Sequence, residues 1–283
     1  MNPMLEPEDA DVVAAATGGD RDALTTIVDR HRAWIYNIAL RMVRNPSDAE
    51  DATQEILLKV ALGIGGFEGR GSFRAWLYRV AFNHLVNLKR GRATEPTGGF
   101  EDFAIGISNM PDLELGDMPV AEATLLVEEA KIGCMTGMLM CLSREQRLAY
   151  VLGALFQLPD TLAAEILEIQ PATFRKRLQR GRADLHGFMD GQCGLINKDN
   201  PCRCARKTRG FVNAGYVDPD NLKFHRDRVA SVGEVASRDA SVVSETLAGS
   251  YPALFQEHPF TDPQKLKDRL ARLLENTELR SLF

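Results

Sequence analysis

Between Asp22 and Arg44 the apolar positions return every three or four residues: Leu24, Ile27, Val28, His31, Trp34, Ile35, Ile38, Ala39 and Met42. That spacing puts them on one face of a long amphipathic helix, stopped by Asn45-Pro46. Ser47, with Glu50 three residues on, reads as a capping box opening a second helix. Its polar side carries Asp48, Asp51, Gln54, Glu55 and Lys59, and its apolar side Ile56, Leu57 and Val60. The glycine-rich turn GIGGFEGRG, Gly63 to Gly71, ends it. A third helix, from Ser72 to about Arg90, mixes Phe73, Trp76, Leu77, Val80, Ala81, Leu85 and Leu88 with Arg74, Arg79, Asn83, Asn87, Lys89 and Arg90. Three such helices make one compact domain over 20–92.

Residues 93–119 are rich in Gly, Pro and acids and hold no sustained period, the pattern of a flexible acidic linker. Helical pattern resumes near Val120, and Ser143 with Gln146 forms another capping box. After Leu158-Pro159 come two short helices, Asp160 to about Leu167 and Pro171 to about Phe188, with Pro171 at a first helical position. A second helical domain therefore covers 120–190. The remainder, 191–283, carries the turn YPALFQEHPF and a helix opening at Asp262-Pro263, with Leu266, Leu270, Leu273 and Leu274 on one stripe. No segment alternates with a strand period, so the fold class is all-α: two helical domains, the linker and a mostly helical C-terminal extension.

Composition narrows the class without changing this picture. The chain has 283 residues, 45% hydrophobic and 26% charged, the mix of a globular protein. No apolar run approaches the ~20 residues of a membrane span, and the acidic N-terminus MNPMLEPEDADVV lacks the features of a signal peptide. A cytoplasmic protein is expected. Charge is more informative. The net value is −5, yet Arg70–Arg92 holds six bases and no acid, Ala93–Ala130 nine acids and no base, and Glu168–Arg209 ten bases against four acids. Polyanion binding follows local patches of this kind.

The basic segments carry the candidate chemistry. TLAAEILEIQPATFRKRLQRGRADL has the layout of a helix-turn-helix. Its second helix places Thr173, Arg175, Lys176, Arg177, Gln179 and Arg180 toward a major groove, and Phe174, Leu178 and Leu185 toward a core. Arg bonds guanine edges bidentately, and Lys and Arg neutralise phosphates. From Phe67 to Arg92 bases interleave with Phe67, Phe73, Trp76, Tyr78 and Phe82, which suits single-stranded DNA; Phe73 and Trp76 also fit the core of a three-helix bundle, Trp76 equally well. In the extension, Cys193, Cys202 and Cys204 stand between His186 and His225. Three thiolates and an imidazole can complete a Zn site, or the sulfurs can hold Cu(I); a folded turn of reduced thiols is the plain alternative. Cys134 and Cys141 lie on an apolar pattern and are expected in the core. No nucleophile motif appears, and no carboxylate cluster with His at ligand spacing. An enzyme is not expected, and no cofactor is required.

Three stretches in order, DAEDATQEILLKV, GFEGRGSFRAWLYRVAFNHLVNLKRGR and LSREQRLAYVLGALFQLPDTLAAEILEIQPATFRKRLQRGRADL, resemble the bacterial sigma factors of the extracytoplasmic-function (ECF) group. The first two resemble sigma region 2 and the last region 4. The resemblance implies a promoter-specificity subunit with core RNA polymerase and promoter DNA, duplex and melted non-template strand, as partners. An anti-sigma factor is a further candidate partner. It implies polymerase docking at Asp48, Asp51, Gln54 and Glu55. Recognition and melting of the −10 element falls to Phe67, Arg70, Ser72, Arg74, Trp76, Arg79, Asn83, Asn87 and Arg90. The −35 element falls to Thr173, Arg175, Lys176, Arg177 and Arg180. Ile56 stands where an aromatic is frequent in the family, and the helix-turn-helix turn, Glu168-Ile169-Gln170, lacks the frequent glycine. A stand-alone helix-turn-helix regulator is the competing reading, but it needs neither the acidic helix nor the aromatic-basic block. The extension is expected to regulate in cis.

Overall fold

A computed structural model describes residues 10–43, 45–69, 71–88, 98–224, 266 and 268–270. In chain order the helices are α1 (Ala10–Thr17), α2 (Arg21–Met42), α3 (Pro46–Gly63), α4 (Phe73–Asn87), α5 (Phe100–Asn109), α6 (Val120–Met140), α7 (Arg144–Tyr150), α8 (Asp160–Ile166), α9 (Pro171–Gln192) and α10 (Cys204–Asn213). A 3₁₀ turn, Ile64–Gly66, follows α3, and a π turn, Val151–Leu155, follows α7. The fold is all-α, and the described residues hold no strand beyond one isolated bridge between Cys193 and Cys202. No described helix is long and apolar enough to cross a membrane.

The described residues fall into two compact units. Those of Met1–Gly91, Leu148–Leu178 and Phe260–Phe283 form one, and those of Arg92–Arg147 and Gln179–Pro259 the other.

In the first unit the predicted long helix is α2. Asp20 caps it, its Oδ1 accepting from the Asp22 and Ala23 N–H groups at 2.9 and 3.0 Å. Helix α3 starts two residues earlier than the sequence pattern predicts. Asn45, not Ser47, is the cap: its side chain accepts from the Ser47 N–H at 2.9 Å, and Pro46 takes the first helical position, where it has no N–H to waste. Leu24, Ile27, Ile35 and Ile38 of α2 share the core with Ile56, Leu57 and Val60 of α3 and with Leu77, Tyr78 and Phe82 of α4. The π turn brings Gly153 against Phe174 and Leu178, so close that a Cβ there would lie 2.7 Å from Leu178 Cδ2. Phe156, next in the chain, is held between the Trp34 ring, 4.2 Å between centroids, and the Arg41 guanidinium, 5.3 Å above its face.

In the second unit α5 lies inside the predicted linker. Phe100 and Phe103 supply its reason to fold, because both rings pack on Phe188, 5.0 and 5.8 Å between centroids. Gly137 of α6 leaves the space that the Phe103 ring occupies. Both bonds of the Ser143–Gln146 capping box form. Helix α10 packs along α6, and Val217 and Leu222 beyond it bury against Leu126 and Ala130. The Glu129 carboxylate of α6 pins this segment by accepting from the Lys223 and Phe224 N–H groups.

Candidate nucleic-acid interface

Helix α4 begins at Ser72, whose Oγ accepts from the Ala75 N–H. The loop before it reverses through Gly69 (φ 69°) and Gly71 (φ 86°), a conformation open to glycine at no steric cost. Phe67 from this loop meets Phe73 and Trp76 at 5.3 and 5.8 Å between centroids. Phe67 and Trp76 are half-buried, Ser72 is partly covered, and Asn83 and Asn87 are exposed. Three of the five aromatics expected to be available for stacking are not. Phe73, Tyr78 and Phe82 are buried, because their spacing turns them into the apolar seam of a three-helix core. Arg74 is buried as well, beside Tyr78. Burial raises the Tyr78 hydroxyl well above the usual tyrosine range, and the Arg74 charge draws it partly back. Arg70 and Arg90 lie outside the described residues.

The helix-turn-helix forms from α8 and α9. The Ile169 N–H reaches the Ala164 carbonyl at 3.0 Å, closing the end of α8, and Glu168 takes a left-handed φ of 53°. Such a helix end usually uses glycine. The Glu168 carboxylate lies 3.3 Å from Arg79 of α4. On α9, Thr173, Arg175, Lys176 and Arg180 are exposed and Arg177 half-buried, while Phe174 and Leu178 are buried. Arg175 also reaches Asp160 at 3.5 Å. A helix presenting four exposed polar and basic residues on one side and an apolar anchor on the other can lie in a major groove.

On α3, Asp51 and Glu55 are exposed and Asp48 and Gln54 half-buried. Glu55 lies 3.7 Å from His84 Nε2, and Lys59 Nζ donates to His84 Nδ1 at 2.7 Å. Burial first, then the Lys59 charge, lowers the His84 pKa below the usual histidine value, with Glu55 opposing. Asp51 Oδ1 also faces Arg269 at 3.5 Å, and Leu266 and Leu270 beside that arginine are buried.

The family model described as sigma-70 region 2 matches residues 27–95. The ECF RNA polymerase sigma factor SigM of Mycobacterium tuberculosis is 31% identical over 182 residues, 64% of this chain and 84% of its own length. The chain belongs to the ECF sigma factors. SigW of Bacillus subtilis is 30% identical over 59% of the chain and 89% of its own length. CnrH of Cupriavidus metallidurans is 29% identical over 66% and 97%. A solved structure of CnrH in complex with the cytosolic domain of CnrY covers 64% of this chain and 97% of that chain, at 21% identity and a TM-score of 0.45.

Several side-chain partnerships of this sigma factor escape sequence reasoning. Glu168 reads as a poor turn residue, and only the fold shows Arg79 as its partner. Arg147, one residue past the capping box, carries no sequence signal of its role: it is buried, its guanidinium donating to the carbonyls of Leu139, Met140 and Leu142 at 2.9–3.1 Å. The five cysteines form no disulfide. Burial first, then the other four cysteines, raises the Cys134 thiol well above the usual cysteine value. Burial first, then the Arg182 charge, lowers the His186 pKa below the usual histidine value, with Asp190 opposing; His225 lies outside the described residues, as do YPALFQEHPF, Leu273 and Leu274. Burial raises the Cys193, Cys202 and Cys204 thiols as well, Cys204 to about 12.

Proposed function

We propose that this ECF sigma factor gives core RNA polymerase its promoter specificity without chemistry of its own. The exposed face of α9 supports the reading most strongly, since Thr173, Arg175, Lys176 and Arg180 are available to the bases and phosphates of a −35 duplex. The −10 element is opened and held by the loop at Phe67–Ser72 and by Trp76, Arg79, Asn83 and Asn87 of α4. A base taken out of the stack costs a few kcal/mol, which stacking against the half-buried Phe67–Trp76 pair offsets. Polymerase docks on the acidic side of α3, at Asp48, Asp51, Gln54 and Glu55.

The extension regulates in cis, replacing or adding to a separate anti-sigma factor. Arg269 occupies Asp51, one of the docking carboxylates, so the tail and the polymerase compete for one residue. The test is transcription reconstituted from core polymerase, full-length protein and a library of promoter fragments. Run-off product from a defined −35/−10 sequence supports the reading. Specific duplex binding without polymerase-dependent product would favour the stand-alone regulator. In the same assay Arg269→Glu raises product; an unchanged yield with full-length polymerase binding would remove the cis contact from the account.

A further inference from the structure

Much of the predicted linker is drawn into the second unit. Helix α5 is held there by the Phe188 ring. The residues that follow, Met110 to Leu115, run along α10, the described helix of the C-terminal extension. The Leu113 N–H donates to the Arg206 carbonyl at 2.9 Å. Lys207 Nζ donates to the Met110 carbonyl and lies 3.1 Å from the Asp112 carboxylate. Arg209 donates to the Leu115 carbonyl at 3.2 Å.

Gly210 makes this approach possible. A Cβ there would stand 2.9 Å from Met110 Cγ and 3.0 Å from the Pro111 carbonyl oxygen, so a larger residue pushes the linker off the helix. Arg206 and Gly210 are four residues apart and share a face. The notch therefore opens the Arg206 carbonyl to a second donor, which its two lone pairs can take. The Lys207 side chain is only 10% exposed. A buried ammonium needs partners, and the linker supplies both of them. Elsewhere α10 is anchored to α6, with Phe211 and Val212 packed on the cluster of Leu126, Ala130, Val217 and Leu222. Three of the four polar contacts fall on the linker backbone, and the Leu113 side chain is exposed. The helix thus grips the path of the chain.

An extended chain covers about 3.5 Å per residue, so 89–119 free from end to end reaches roughly 110 Å and 89–99 alone roughly 40 Å. We infer that α10 is a clasp that takes up slack in the linker and so limits the spacing between −35 and −10 elements that this protein accepts. A free linker tolerates many separations, because the entropic cost of joining its ends changes slowly with length. A clasped linker does not. The inference rests on the promoter reading proposed above. It gives the extension a second part, distinct from the Arg269–Asp51 contact: one bears on polymerase docking, the other on the choice of promoter.

The test compares the full-length protein with Gly210→Ala and Leu113→Pro. The first fills the notch with a residue that favours helix over glycine, and the second removes the linker's donor while leaving α10 untouched. Amide exchange at Leu113 is expected to be slow in the wild type and faster by about tenfold or more in Gly210→Ala. Run-off transcription with core polymerase then uses templates whose −35/−10 spacer is changed one base pair, about 3.4 Å, at a time. The wild type is expected to show a narrow optimum. Both variants are expected to give several-fold more product than the wild type at spacers off that optimum, with little change at it. Fast Leu113 exchange in the wild type, or exchange unchanged in Gly210→Ala, would overturn the clasp. Spacer profiles that match the wild type in both variants would overturn its role in spacing. Absence of promoter-dependent product at every spacer would overturn the promoter reading and the spacing role with it; protection at Leu113 tells that failure from a failure of the clasp.

Discussion

Arg79 and Glu168 meet at 3.3 Å, joining the helix assigned to the −10 element to the turn of the helix-turn-helix assigned to the −35 element. The carboxylate side chain is 58% exposed, so the ion pair is worth about 1 kcal/mol or less. Glu168 also holds a left-handed φ of 53°, which costs a residue with a Cβ roughly 1–2 kcal/mol. The contact is therefore weak enough for DNA to displace.

Glu168→Gly removes the pair and the strain together. Its unfolding free energy is expected to stay level or rise by up to about 1 kcal/mol, while a single-stranded −10 oligonucleotide binds several-fold more tightly at fixed salt. Arg79→Ala is expected to bind it more weakly. Fluorescence anisotropy separates the two, because loss of the same ion pair moves affinity in opposite directions. Weaker binding by Glu168→Gly would assign Glu168 a role in binding rather than in masking.

Trp76 shares its ring contacts with Phe67 and Phe73 and remains half-exposed. Trp76→Ala is expected to cost about 1–3 kcal/mol in binding the single strand, the usual worth of a base–aromatic stack. Binding of a −35 duplex should not change. Equal losses on both ligands would mean that Trp76 supports the fold and not the strand.

His84 titrates below the usual histidine value because it is buried and faces Lys59. At pH above about 6.5 the ring is neutral in both folded and unfolded chains, and no stability is lost. As pH falls below that value the unfolded chain takes up a proton that folded His84 resists, so stability declines through the folded midpoint. Urea unfolding between pH 7.5 and 5 is expected to show this slope. His84→Gln should reduce it without abolishing it, since His186 is shifted in the same direction. An unchanged slope in His84→Gln would place the titration elsewhere.

Arg147 is 2% exposed and closes the C-terminal end of α6 by donating to three carbonyls. Arg147→Leu takes this donor from the Met140 and Leu142 carbonyls at about 1–3 kcal/mol each, whereas Leu139 keeps the Leu142 N–H. Destabilisation on the order of 3 kcal/mol or more is expected in denaturant unfolding. Arg147→Lys should recover little, because one ammonium cannot reproduce the planar fork. A loss under about 1 kcal/mol for Arg147→Leu would show that water or a neighbouring donor takes over the carbonyls.

Much of the fold is legible from local signals. The periodicity of α2, the capping box at Ser143 and Gln146, and Pro171 at the start of α9 each report a helix through interactions within a few residues. The same signals mislead where tertiary contacts decide. Helix α5 lies in an acidic, glycine-rich stretch, and only the Phe188 ring, about eighty residues on, explains it. Residue type alone sets Phe73, Tyr78 and Arg74 among the DNA-binding groups, yet helical spacing turns them inward. The exposed face of α9 follows from the alternation of Arg and Lys with Phe174 and Leu178. Glu129 accepts from the Lys223 and Phe224 N–H groups across more than ninety residues, a separation over which spacing rules carry no information.

The central claim is that the acidic face of α3 engages core RNA polymerase. The direct measurement is capture of purified core polymerase by the full-length protein, comparing wild type with Asp51→Arg and Glu55→Arg after each variant is confirmed folded. Both carboxylates are exposed, so neither reversal should disturb the core. The account predicts strong capture by the wild type and loss of at least tenfold, about 1.4 kcal/mol, in each reversal. Capture that withstands both reversals would contradict it and move the docking surface off this helix.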